Sequence, residues 1–269
     1  MSPRLFWSIT TMQARKMMSY RADFWISALF GFAIQMGVVY FLWDAMFRES
    51  GQERIGGYTF RPMLMYYVMV LLISKVVNVR MGDGMVAADI YDGGLSRYIV
   101  YPTNYFLFKF AQRLGDLMPA LVQITVFGTL CAVLFRTPEL EIDAAGMLMG
   151  AVSLSAATTL MFALTIPLET IAFWADNVWS LNVMLRFAVQ LFGGMLMPMT
   201  LYPDWARAAL HWLPFRYVFD VPVNVILGRI GFAEWLLGLV VCAGWLAIIS
   251  AITALLWRRG SRAYTGVGM

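Results

Sequence analysis

Apolar and polar residues fall along this chain in long blocks. Six blocks are apolar over enough length to form a helix across a bilayer, whose hydrocarbon core takes about 20 residues. They are Phe24–Phe47, Leu64–Val79, Leu114–Phe135, Ala144–Leu168, Trp179–Met197 and Phe232–Trp257. Inside lipid the backbone must satisfy its own hydrogen bonds, so these blocks read as helices. The alternating pattern that a membrane barrel requires is nowhere sustained. The pattern therefore predicts an all-α membrane protein with six transmembrane helices and one membrane domain over residues 1–269.

The segments between the blocks have their own character. Residues 1–22 mix Leu5, Phe6, Ile9 and Met12 with Ser8, Gln13, Arg15 and Lys16, which predicts an N-terminal interfacial helix over Pro3–Tyr20. Arg48–Pro62 holds Gly51, Gly56 and Gly57 and reads as a loop. Residues 80–113 are the longest polar stretch, too short for a catalytic domain with its own core. There Asp83 is placed to cap a short helix through Met85, Val86, Ala87, Ile90 and Tyr91. Gly93 and Gly94 end that helix, and an amphipathic stretch from Leu95 is interrupted at Pro102. Such a short, punctuated piece suits docking of another protein, or a plain connector on the membrane surface. Phe173–Asn177 predicts a tight turn. Residues 198–230 stay apolar but are broken by Pro198, Pro203, Pro214 and Pro222, which predicts two short re-entrant helices.

Composition agrees with lipid as the solvent. Hydrophobic residues make up 61% of the chain, against roughly 45–50% in soluble domains, and the mean hydropathy is +0.69. The net charge of +4 records orientation and carries no nucleic-acid signal. With the N-terminus in the cytoplasm, eleven Lys and Arg face inward and seven outward, which predicts both termini cytoplasmic. Trp25 and Trp43 stand about 27 Å apart along one helix, so each is predicted at an interface, as are Trp235 and Trp257. Cys131 and Cys242 fall inside blocks and read as small apolar residues. Residues 1–21 show no cleavable signal pattern.

Charges inside a bilayer are costly and are candidates for function. Lys75, Asp116, Glu169 and Arg186 qualify, with Asp44 near a span end. Lys75 and Asp116 are placed to pair across helices. Glu169 and Arg186 flank the Phe173–Asn177 turn with an axial offset of about 7 Å. Either pair serves packing or breaks as helices move. Met195, Met197 and Met199 suit an adaptable apolar surface or plain filling. Gln35, Gln123 and Gln190 line a path or join helices. His211 is the sole histidine and reads as an interface residue. No metal spacing, nucleophile elbow or paired catalytic carboxylates occur, which argues against an intramembrane enzyme.

One stretch carries a family likeness. Ile90-Tyr91-Asp92-Gly93-Gly94-Leu95-Ser96-Arg97-Tyr98-Ile99-Val100-Tyr101-Pro102 resembles the I-x-x-G-x-L-x-x-x-[LI]-[LV]-x-P pattern that follows the second span in permeases of type-2 ABC exporters. Gly194 to Pro198, Pro203-Asp204-Trp205, Leu213-Pro214-Phe215, Pro222 and Gly228 are similar to the proline-rich stretch of the same family. Tyr20-Arg21 and Leu42-Trp43 are similar to a subgroup of small bacterial permeases. The resemblance implies a subunit of the bacterial cytoplasmic membrane that works as a homo- or heterodimer with ATP-binding-cassette ATPase subunits. It implies that the loop after the second span is a coupling helix received by a cleft on the ATPase, here carried by Asp83, Asp89, Ile90, Asp92, Gly93, Gly94, Leu95, Arg97 and Pro102. Pro198, Pro203, Pro214, Phe215, Pro222 and Gly228 would shape the outer re-entrant segment. The chain has no phosphate-binding G-x-x-x-x-G-K-[ST] loop, so it holds no cofactor, and ATP and Mg belong to the partner ATPase. The implied cargo is hydrophobic or amphipathic. Lipid-linked polysaccharide export, or an ATP-independent carrier or channel, are the alternatives.

Overall fold

The computed structural model describes residues 1–17, 21–78, 85–101, 103–134 and 143–264. Among the described residues there is no β-strand beyond an isolated bridge from Ile55 to Tyr58. The α-helices are α1 (Pro3–Met17), α2 (Arg21–Ser50), α3 (Phe60–Val77), α4 (Met85–Tyr91), α5 (Leu95–Ile99), α6 (Tyr105–Leu134), α7 (Ala144–Thr170), α8 (Trp179–Phe192), α9 (Asp204–Trp212), α10 (Asp220–Ile226) and α11 (Phe232–Ala263).

Five helices are long and apolar enough to cross a membrane, within α2, α3, α6, α7 and α11. The predicted Trp179–Met197 span differs. Its helix α8 has 14 residues, about 21 Å. The chain stops being helical at Gly193, and Gly194 adopts a φ of 91°. The amides of Met195 and Leu196 then both turn back to the Gln190 carbonyl. The apolar run continues past this turn, so hydropathy extended the span where the backbone does not.

α3 occupies the centre. A helix apolar all round is one that is enclosed all round, and nearly every residue of α3 is buried. α2, α6, α7 and α10 pack against it. Trp43 belongs to this core. It is 2% exposed and packs against Tyr67 and Phe47, so it does not mark an interface as predicted. The opposite face of α2, with Ile26, Leu29, Phe30, Ile34, Val38 and Phe41, is exposed.

α6 begins at Tyr105, well before the predicted Leu114. The Asn104 side chain accepts from the Leu107 amide and starts it. Lys109 and Arg113 lower hydropathy over this first third, yet both are buried, as is Asp116 just inside the predicted block. α1 packs along the same part of α6. Its Ile9, Thr10 and Gln13 face inward, and the Thr10 hydroxyl donates to the Ala111 carbonyl at 3.1 Å. The approach depends on Gly115, since a Cβ there would stand 2.5 Å from the Thr10 carbonyl oxygen.

The predicted re-entrant stretch forms two short helices, α9 and α10. Pro198 and Pro203 each precede a helical turn, and Pro214 opens another over Pro214–Tyr217. Phe215 packs near Phe192, Pro222 is buried in α10, and Gly228 leaves it with a φ of 68°. Tyr66 and Tyr67 of α3 donate their hydroxyls to the Gly194 and Leu196 carbonyls, which ties this irregular backbone to the core.

Replacing Gly115 by Val should push α1 off α6, because backbone atoms and the Gln13 Cβ crowd the site. A loss of about 1–3 kcal/mol is expected, read as a lower thermal midpoint of the purified protein and earlier proteolysis within α1.

Candidate functional site

Two polar clusters lie at opposite ends of α7, about 39 Å apart along its axis from Asp143 to Glu169. At the Glu169 end sit α4 and α5. Gly93, with a φ of 67°, closes α4 in a left-handed conformation that favours glycine. Val86, Ala87, Ile90 and Leu95 turn inward against Tyr105, Ile166, Ala172 and Phe173. Asp92, Ser96, Arg97, Val100 and Tyr101 are exposed. The pair of helices thus has an anchored face and a bare one.

Three polar attachments hold the anchored face. The Glu169 carboxylate, 2% exposed, accepts from the Val86 amide at 2.6 Å. A carboxylate at a helix start satisfies an amide without an intrahelical partner and meets the positive end of the helix dipole. Asp89 on α4 pairs with Lys109 of α6 at 2.6 Å and accepts from the Tyr105 hydroxyl at 2.7 Å. The Lys109 ammonium also lies 4.8 Å from the Tyr98 ring of α5. Tyr91 donates to the Ala175 carbonyl at 2.9 Å. Beside this seam, Arg113 donates to the Val77 carbonyl at 2.7 Å, at the last turn of α3. The Gln13 amide donates to Asp116 at 2.8 Å.

Both predicted charge pairs are therefore replaced. Asp116 takes Gln13 of α1, whereas Lys75 points toward Gly31 of α2. Glu169 takes the α4 amides and not Arg186, because a helix start offers two adjacent N–H groups where a guanidinium on α8 would have to reach across a turn. Asp44 pairs with Arg48 one turn along α2, at 3.0 Å. Gly94 is buried beside Asp89 and Arg97. Asp83 and Pro102 lie outside the described residues.

At the other end of α7 the loop before α3 meets α9, α10 and the start of α11. Tyr58 donates to Asn224 at 2.8 Å, Asn224 donates to Asp220 at 2.8 Å, and Arg216 bridges Asp220 at 2.9 Å and Glu234 at 3.0 Å. Arg216 also contacts His211. Burial pushes the Tyr58 phenol up to about 12, against the pull of Arg229.

The family model described as ABC-2 family transporter protein matches residues 33–268. The chain belongs to the ABC-2 transporter family. No curated protein matches it. As an ABC-2 permease it is a multi-pass membrane component of transport, and the family implies an ABC ATPase in the same transporter.

Within this ABC-2 permease, periodicity found α4 and α5 but missed what holds them. Lys109, Tyr105 and Tyr91 carried a signal only as polar groups flanking an apolar block. Arg216, Asp220 and Asn224 carried less, since the prolines around them drew the reading. His211, expected at an interface from its sequence context, sits in a polar cluster beside Arg216.

Removing the Glu169 carboxylate as Glu169→Ala leaves buried amides bare, at about 1–3 kcal/mol. Faster hydrogen exchange at Val86 and Ala87 is expected, and a smaller change with Glu169→Gln, which keeps an acceptor. Burial and the Arg216 charge hold His211 below its ordinary value, against Glu234. Above the unfolded value of about 6.5 it is neutral in both states and has no effect. Below it the unfolded chain takes the proton first, so stability falls with pH until the folded value is passed. Acid thermal scans should therefore flatten in His211→Gln.

Proposed function

We propose that the chain is the permease subunit of an ATP-driven exporter for hydrophobic or amphipathic compounds, and that α4–α5 is its coupling element. The observation that carries this reading is the two-faced α4–α5 pair. Its apolar side and three polar links bind it to α6, α7 and the turn after α7, while Asp92, Arg97, Val100 and Tyr101 remain uncovered. A load applied to the bare face passes directly to α6, to α7 and to the turn after α7. The ATPase is the partner that would supply such a load. Ile90, Gly94 and Leu95 then act by positioning, and Asp92 and Arg97 by contact.

In this reading both termini and α4–α5 are cytoplasmic, α9–α10 dips into the outer leaflet, and α8 with the turn after it completes a sixth crossing. The exposed face of α2 is where a second permease chain or lipid packs. The uniform apolar character of that face gives it no other solvent.

Affinity capture in mild detergent tests the assignment. A stoichiometric ATP-binding-cassette ATPase is expected with the wild-type chain. Gly93→Val forces a β-branched residue into left-handed backbone, at about 1–2 kcal/mol, and Leu95→Asp buries a charge. Both should release the ATPase while the permease still inserts. A chain that purifies alone in several detergents would point to a carrier or channel.

A further inference from the structure

The cluster at the α10 end encloses a cavity of about 330 Å³. Its floor is built, since Tyr58, Asp220 and Asn224 are buried and hydrogen-bonded to one another in sequence. The distribution of charge around it is uneven. Arg207 pairs with Asp204, and Arg216 is matched by both Asp220 and Glu234. Arg229 has no carboxylate partner among the described residues. Its guanidinium lies 3.6 Å from the Tyr58 ring centroid and donates to the Gly57 carbonyl at 2.9 Å. Those two contacts orient the cation and leave its charge uncompensated.

The acceptors are spent where the donors are not. Asp220 receives Asn224 on one oxygen and Arg216 on the other. Tyr58 keeps its proton and donates to Asn224, so it adds no negative charge. Arg229 gives one nitrogen to Gly57 and lines the cavity beside Thr200. The lining holds three guanidiniums, Arg207, Arg216 and Arg229, against two carboxylates, Asp220 and Glu234, both already bonded to Arg216. An anion would meet a fixed guanidinium, the geometry suited to phosphate or carboxylate.

The surroundings identify what carries the anion. α9, which supplies Arg207 and His211 to the cavity, turns Trp205 and Trp212 outward at 77% and 61% exposure. Paired exposed tryptophans beside polar groups favour the membrane–water boundary. The volume accommodates a headgroup and not a whole amphiphile.

We propose that this cavity binds the phosphate or carboxylate head of an anionic amphiphile on Arg229, with the tail left in the outer leaflet. The placement in the outer leaflet rests on the permease reading above, and the site gives that reading an anionic class of cargo or resident lipid.

The test is equilibrium binding to the permease purified in a neutral detergent. The probes are dioctanoyl phosphatidic acid, octanoate, dioctanoylglycerol and inorganic phosphate. Saturable binding of the two anionic amphiphiles is expected, with the uncharged glyceride and inorganic phosphate at least about tenfold weaker. Arg229→Gln should weaken the anionic amphiphiles about tenfold, and Arg229→Lys should retain most of the binding. Thr200→Glu leaves the Arg229 clamp intact, adds a negative charge to the lining and should weaken binding in the same way. Arg48→Gln, on α2, should change nothing. Equal binding of the glyceride, or unchanged binding in Thr200→Glu and Arg229→Gln, overturns the proposal. Inorganic phosphate bound as tightly as phosphatidic acid would make this a free-anion site and overturn the amphiphile assignment. None of these measurements needs an ATPase. Anion binding without a co-purifying ATPase would sink the permease reading alone, and an ATPase without anion preference would sink this one alone.

Discussion

The enclosure of α3 governs the rest of the arrangement. This helix carries apolar side chains on every face, and water or a polar loop could satisfy none of them. It is stable only when surrounded, and α2, α6, α7 and α10 do the surrounding. Once it is central, its ends become places where other elements must attach. At one end Arg113 of α6 supplies a donor to the Val77 carbonyl. At the other, Tyr66 and Tyr67 supply donors to backbone that has left helical form at Gly194 and Leu196. Buried backbone that has left helical form needs such donors for its carbonyls.

Both polar clusters follow from the same constraint. A buried carboxylate is expensive unless hydrogen bonds and cations surround it. Glu169 meets the cost with the first amides of α4 and with Lys109 and Arg113 nearby. Asp220 meets it with Arg216 and Asn224. Each carboxylate thereby fixes a separate short helix to the bundle. Neither α4 nor α10 is long enough to be stable alone, since isolated helices below about 12 residues are marginal. Their position is a product of these contacts.

The two clusters are joined by α7. It contacts α4 at its Glu169 end and α10 at its other end, where Gly150 leaves room for Ile226. A displacement of α4 that moves Glu169 therefore acts on a helix whose far end touches the cavity. α11 runs alongside α7 and closes the same two regions, with Trp257 stacked on Tyr105 near α4 and Trp235 bonded to Ser153.

Block hydropathy by itself determined the class of this protein. It placed the helices α2, α3 and α7 to within a few residues and α11 at its start, because a span is a local property of composition and length. Glycine and proline spacing likewise located the α4–α5 break at Gly93 and the two short helices around Pro203 and Pro222. The pattern failed where burial is set by neighbours far along the chain. It started α6 late because Lys109 and Arg113 count as polar, though their partners Asp89 and Val77 bury them. It ran α8 on because Met195 and Met197 count as apolar, though the backbone has turned. It paired Glu169 with Arg186 by closeness in sequence, whereas the carboxylate went to α4. Trp43, an interface residue by spacing, is core by packing. Which partner a buried charge takes, and which face of a helix is covered, are properties of the assembled bundle, because desolvation is decided by every helix that surrounds the group.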